Sequence, residues 1–99
     1  MTAKLAPAAR TRALKRLSGW TLAEDGLSIS RSYRFADFIA AFGFMSSAAL
    51  IAQQMDHHPE WFNVYGRVDV RLTTHDAGGL TQKDIDLARA MDTRAGAAR

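Results

Sequence analysis

All three histidines of the chain, His57, His58 and His75, fall in one short stretch of sequence. Imidazole titrates near neutrality, so such a set can both give and take a proton under physiological conditions. It is also a common zinc ligand. Metal binding is the weaker reading. His57 and His58 are adjacent, and neighbouring side chains in extended backbone point to opposite sides. No i, i+4 histidine pair sits on a helix, and the chain has no cysteine. That last fact also excludes a disulfide scaffold, an iron–sulfur cluster and a thiolate nucleophile. No serine stands in a nucleophile-elbow context, and Gly78-Gly79 alone is too little for a phosphate-binding loop. Metal binding is thus the least favoured of three readings, beside non-covalent acid–base chemistry and solvated histidines in a surface loop.

The elements that must place these rings can be read from periodicity. Residues 36–55 have the clearest helical spacing, with Phe35, Phe38, Phe42, Met45, Ala49 and Ala52 as one apolar stripe. A second stripe, Ala41, Phe44, Ala48, Ile51 and Met55, runs beside it. A helix apolar over so much of its girth is expected to bury the surplus in a subunit interface, or else to lie sunk in the core. Pro59 is expected to force the chain out of helix through its effect on His58 and to supply the kink that turns both adjacent histidines one way. Trp61 to Tyr65 reads as a strand and Gly66 as a turn. Arg67 to Thr74 alternates cleanly, with Val68, Val70 and Leu72 facing a core. A hairpin about Gly66 would set position 75 opposite about position 57, so the three imidazoles could line one cleft rim. Thr81 reads as an N-cap with Asp84 three residues on, opening a last helix through Ile85, Leu87, Ala88 and Met91.

The N-terminal half supplies the remaining elements. Pro7 suits a first helical turn, residues 8–17 favour helix, and Ser18-Gly19 stops it. Trp20 and Leu22 read as a short strand, Asp25-Gly26 as a tight turn, and residues 27–35 as its partner. Residues 1–6 and 93–99 are expected to fray. The implied architecture is α+β: two layers, a four-stranded antiparallel sheet with three helices on one face, in the order α-ββ-α-ββ-α.

The chain has 99 residues, 47% apolar and 23% charged, which fits one globular domain over 1–99. Its net charge of +3 is concentrated at the front, where Lys4, Arg10, Arg12, Lys15 and Arg16 precede any acid. No aromatic residue interleaves with them before Trp20, and Arg67, Asp69 and Arg71 mix signs, so nucleic acid is not an expected partner. No run is expected to reach the length and apolarity of a membrane span, and no membrane contact is expected. The lack of cysteine fits a reducing compartment, so the expected location is cytoplasmic.

The dense run Asp56-His57-His58-Pro59-Glu60-Trp61-Phe62-Asn63-Val64-Tyr65, the strand pattern V-x-V-x-L-x-T-H ending at His75, and Gly-Leu-(x)₃-Asp at 79–84 resemble the pterin-4a-carbinolamine dehydratases. Residues 38–45, FIAAFGFM, resemble that family's central helix, and the similarity runs from about Trp20 to about Met91. The resemblance implies loss of water from 4a-hydroxytetrahydropterin to give quinonoid dihydropterin, with neither cofactor nor metal. It implies a catalytic set of His57, His58 and His75, with His57 and His75 in acid–base roles and His58 holding substrate. Trp61, Asp84, Pro59 and Lys83 are the implied substrate contacts. Trp61 would pack on the flat pterin, and Asp84 would accept a hydrogen bond from His75 or from substrate. The plainer readings are that Trp61 belongs to the core and Asp84 serves the helix start. Gln53 stands where the family often carries glutamate, and Lys83 where it often carries arginine; glutamine cannot take up a proton, and lysine lacks the planar fork. The resemblance also implies a homodimer or homotetramer through the 36–55 helix. In animals the same fold also partners a homeodomain transcription factor, so a non-catalytic interaction module is the alternative.

Overall fold

A computed structural model describes residues 2–98. The elements follow as α1 (Pro7–Leu14), β1 (Thr21–Leu22), β2 (Ile29–Arg34), α2 (Phe38–Met55), β3 (Glu60–Val64), β4 (Arg67–Leu72), a short 3₁₀ turn (His75–Ala77) and α3 (Gln82–Ala98). The α+β architecture expected from the sequence is the one observed. All strand pairings are antiparallel, in the spatial order β1-β2-β4-β3.

Alternation along the strands fixes which face is covered. Ile29 and Tyr33 of β2 and Val68, Val70 and Leu72 of β4 are buried, whereas Ser30, Ser32 and Arg71 are exposed. The buried face packs beneath α2 and α3, whose own core residues include Phe44, Ile85, Leu87 and Met91. Burying one such side chain stabilises by about 1.5–3 kcal/mol relative to leaving it in water. Tyr33 and Phe44 meet at 4.8 Å between ring centroids, joining β2 to α2.

The β3–β4 hairpin turns at Tyr65-Gly66. Tyr65 takes the left-handed conformation (φ 49°). Gly66 is required for a different reason: a Cβ there would collide with the carbonyl oxygen of Phe35, whose N–H donates to Gly66 O at 2.7 Å. The glycine therefore lets the hairpin turn lie directly against the chain leading into α2.

Several expectations need correction. Residues 93–98 do not fray; they continue α3, because Ala95 extends the stripe of Ala88 and Met91 and is buried. Lys4 and Leu5 are also held: Lys4 bridges to Thr81, and Leu5 N–H donates to Leu80 O at 2.8 Å. The remaining ends of the expected tails, Met1 and Arg99, lie outside the described residues. Pro59 does not end α2. The helix stops at Met55, Asp56 adopts the left-handed conformation (φ 51°, ψ 45°), and the N–H groups of His57 and Asp56 return to Ala52 O and Gln53 O. This is a Schellman cap with aspartate in the place glycine usually takes.

Finally, α2 is an 18-residue segment free of charge with a hydropathy of 1.4, so by length and composition it does match a membrane span. No charged residue interrupts the run between Asp37 and Asp56, which corrects the expectation that no segment would match one. The helix buries one face and leaves another open: Ala41, Phe44, Ala48 and Ala52 are buried, while Phe38, Ile39, Phe42 and Leu50 are exposed, Ile39 by 81% and Leu50 by 71%. The helix is therefore laid on the fold, not sunk within it.

Candidate active site

The three histidines line one cleft of about 350 Å³ together with Asp56, Thr73, Thr74, Asp76 and Lys83. Three elements converge to build it. The Schellman cap of α2 delivers His57 and His58, the end of β4 delivers Thr74 and His75, and the first turn of α3 delivers Lys83 with Asp84 beneath it. In the β3–β4 register Glu60 faces Arg71, and continuing that ladder sets 57 beside 74, one residue from the expected pairing with 75. Asp56, in the left-handed conformation, turns the chain out of α2 immediately before the two histidines.

Asp84 is fully buried and holds the floor of the cleft. Its Oδ1 lies 2.6 Å from His57 Nε2. Its Oδ2 accepts from Thr74 Oγ1 at 2.7 Å and from the Thr81 N–H at 2.9 Å. Thr74 Oγ1 and Thr81 Oγ1 are 2.8 Å apart, and Thr81 Oγ1 also accepts from the Lys83 N–H at 3.3 Å. Donor accounting orders this chain. A carboxylate only accepts, so Thr74 spends its single hydroxyl proton on Asp84 and Thr81 donates to Thr74. By the same rule His57 carries its proton on Nε2. Its Nδ1 has no protein partner and is not among the buried unpartnered atoms of the described residues, so it opens toward the cleft.

The other two rings repeat the pattern with weaker support. His58 Nε2 lies 2.8 Å from Gln53 Oε1, and His75 Nε2 lies 3.2 Å from Glu60 Oε2. In each case an oxygen acceptor engages Nε2 and leaves Nδ1 free. The supports differ in depth: His57 is buried, His58 is exposed, and the His75 side chain is 80% exposed. Among the described residues no three of His, Asp and Glu approach closely enough to hold a metal ion.

Not every expected contact is brought to the cleft. Asp84 supports His57 and makes no bond to His75. It also serves the helix start, so the two roles weighed for it coexist. Trp61 is half-buried against the core, one strand residue beyond Glu60, and does not line the cleft; Pro59 does not line it either. Lys83 does. Thr74 was missed as a contributor. Its signal was present, since it continues the inward-facing alternation of Val68, Val70 and Leu72. Gln53 accepts a hydrogen bond from His58 Nε2.

Comparison with known proteins bears on this geometry. Residues 3–94 match the family model described as "Pterin 4 alpha carbinolamine dehydratase". A protein of Rhizobium rhizogenes named "Putative pterin-4-alpha-carbinolamine dehydratase" is 62% identical over 92 residues, covering 93% of this chain and 91% of the relative. A protein of Novosphingobium aromaticivorans with the same name is 58% identical over 91 residues, covering 92% and 95%. The crystal structure of a transcriptional coactivator/pterin dehydratase from Brucella melitensis superposes with a TM-score of 0.90 at 49% identity, covering 94% of this chain and 99% of that one.

Proposed function

The chain belongs to the pterin 4 alpha carbinolamine dehydratase family, and on that premise we propose that it removes water from 4a-hydroxytetrahydropterin, giving quinonoid dihydropterin and so recycling a pterin cofactor. The observation that carries this reading is the shared arrangement of three imidazoles along one cleft, each engaged at Nε2 and free at Nδ1. Hydroxide is a poor leaving group. A ring protonated at Nδ1 can give that proton to the 4a-oxygen, so that the oxygen departs as water. A second ring, neutral at Nδ1, can take the proton that the pterin ring loses as the quinonoid forms. General acid–base assistance of this kind contributes typically about 10²- to 10⁴-fold.

We assign the acid–base pair to His57 and His75, with His58 and Lys83 holding substrate. Asp84 acts through His57, fixing its tautomer and orientation. The chain's own side chains suffice for this chemistry, and the compartment we assign is the cytoplasm. The exposed apolar stripe of α2 supports a homodimer or homotetramer formed through that helix.

The test is direct. Protein added to chemically generated 4a-hydroxytetrahydropterin should accelerate the absorbance change of dehydration, and the double substitution His57→Ala, His75→Ala should abolish the acceleration. A wild-type rate equal to buffer would overturn the proposal. A second reading, an interaction module, is favoured by the exposed face of α2 and by the name of the Brucella protein, which calls it a transcriptional coactivator as well. It predicts a specific protein partner that is retained when both histidines are replaced.

A further inference from the structure

Glu60 is not among the cleft's lining residues, yet it holds one of the cleft's rings. Its Oε2 lies 3.2 Å from His75 Nε2, and Arg71 Nη1 donates to both Glu60 oxygens at 2.9 Å. Glu60 and Arg71 are directly opposed partners across the β3–β4 pair. Their side chains lie on the sheet face that the helices leave open.

We propose that Glu60 is a positioning residue for His75, itself anchored by Arg71. This rests on the dehydratase reading above. His75 follows the end of β4, where the 3₁₀ turn begins, and its side chain is 80% exposed. It has no other side-chain hydrogen bond among the described residues. A ring so placed would otherwise rotate among several rotamers, and a proton-transfer group that is misplaced by an ångström loses much of its effect. Glu60 counters this in two ways. As an acceptor it fixes the proton on Nε2, so that Nδ1 is the atom offered to the cleft. As a strand residue it brings the rigidity of the sheet to a loop side chain. Arg71 holds the carboxylate by contacting both of its oxygens, which leaves Glu60 few orientations other than the one that meets His75. The outcome matches what Asp84 does for His57: two rings in the cleft are each backed at Nε2 by a carboxylate, one from α3 and one from β3.

The experiment compares wild type with Glu60→Ala, Glu60→Gln and Arg71→Ala by steady-state dehydration kinetics and by histidine ¹⁵N–¹H correlation spectra. Glu60→Ala should lower kcat about tenfold with KM changed less than about twofold. His75 should pass from the Nε2–H tautomer to a mixture, while the His57 and His58 signals stay in place. Glu60→Gln keeps an acceptor oxygen and should restore most of kcat and the His75 tautomer. Arg71→Ala should fall between the two. Wild-type kcat together with unmoved His75 signals in Glu60→Ala overturns the proposal. So does a change that moves all three histidines alike in both Glu60 variants, since that marks a loss of fold. A wild-type protein without dehydratase activity would sink the functional reading, and the spectra would still decide whether Glu60 orients His75.

Discussion

Asp84 Oδ1 meets His57 Nε2 at 2.6 Å, with the carboxylate wholly shielded from solvent. Asp84→Asn would put an NH₂ where one carboxylate oxygen stood. The Thr81 N–H is a fixed donor and keeps the amide oxygen on its side, so the NH₂ faces His57. That ring can accept only by moving its proton to Nδ1. The variant is expected to present a donor to the cleft where a lone pair had been, and kcat should fall by about 10²- to 10⁴-fold, as when a triad aspartate is replaced by its amide. Stability should drop by about 1–3 kcal/mol. Kinetics, urea unfolding and the ¹⁵N shifts of His57 together check this; a wild-type tautomer and rate would refute it.

How far the sequence alone reaches can be seen in these same residues. Alternation in Val68, Val70 and Leu72 and the helical spacing of residues 38–55 located β4 and α2, because burial of one face imposes a period. The convergence of the histidines followed from the hairpin register. The end of α2 at residue 55 was located correctly but given the wrong cause, because a left-handed aspartate leaves no compositional mark, whereas Pro59 leaves a loud one. The bonds of Asp84 to His57 and Thr74 were not legible, because they depend on where the first turn of α3 packs against the end of β4, which local spacing does not show. The helical run to Ala98 was hidden by its small residues, whose burial depends on what α3 packs against.

The paired histidines give a second prediction. His57→Ala and His75→Ala should each reduce kcat by about 10²- to 10⁴-fold. If both rings act in one concerted step, the double variant should lose much less than the product of the two single losses, as residues acting as a unit do. Single-turnover rates of the four proteins supply the cycle. A fully multiplicative double loss would mean that the two rings act independently.

A third prediction concerns stability away from the cleft. Asp92 Oδ1 accepts from Arg31 Nη1 at 2.9 Å, Trp20 Nε1 at 3.1 Å and Tyr33 Oη at 2.5 Å. One carboxylate thus ties α3 to β2 and to the residue before β1. Asp92→Ala takes the carboxylate acceptor away from the Tyr33 hydroxyl and the Trp20 indole N–H at the edge of the core. Unfolding free energy should fall by about 2–3 kcal/mol, while kcat and KM stay at wild-type values, since no residue of this cluster lines the cleft. Urea titration beside the dehydration assay separates the two effects, and an equal fall in kcat at full folding would contradict the separation.

The exposed stripe of α2 sets the fourth. Ile39 and Leu50 stand on the solvent side of a charge-free helix whose opposite stripe is already in the core. If that stripe is a self-association surface, a charge placed on it must either lose its water in the interface or force the subunits apart, and the second costs less. Leu50→Glu should therefore convert the assembly to a monomer at micromolar concentration. Its circular dichroism should match wild type, because Leu50 contributes little to the core of its own subunit. Sedimentation velocity reads the outcome, and a variant that sediments as wild type would place the assembly surface elsewhere than on this stripe.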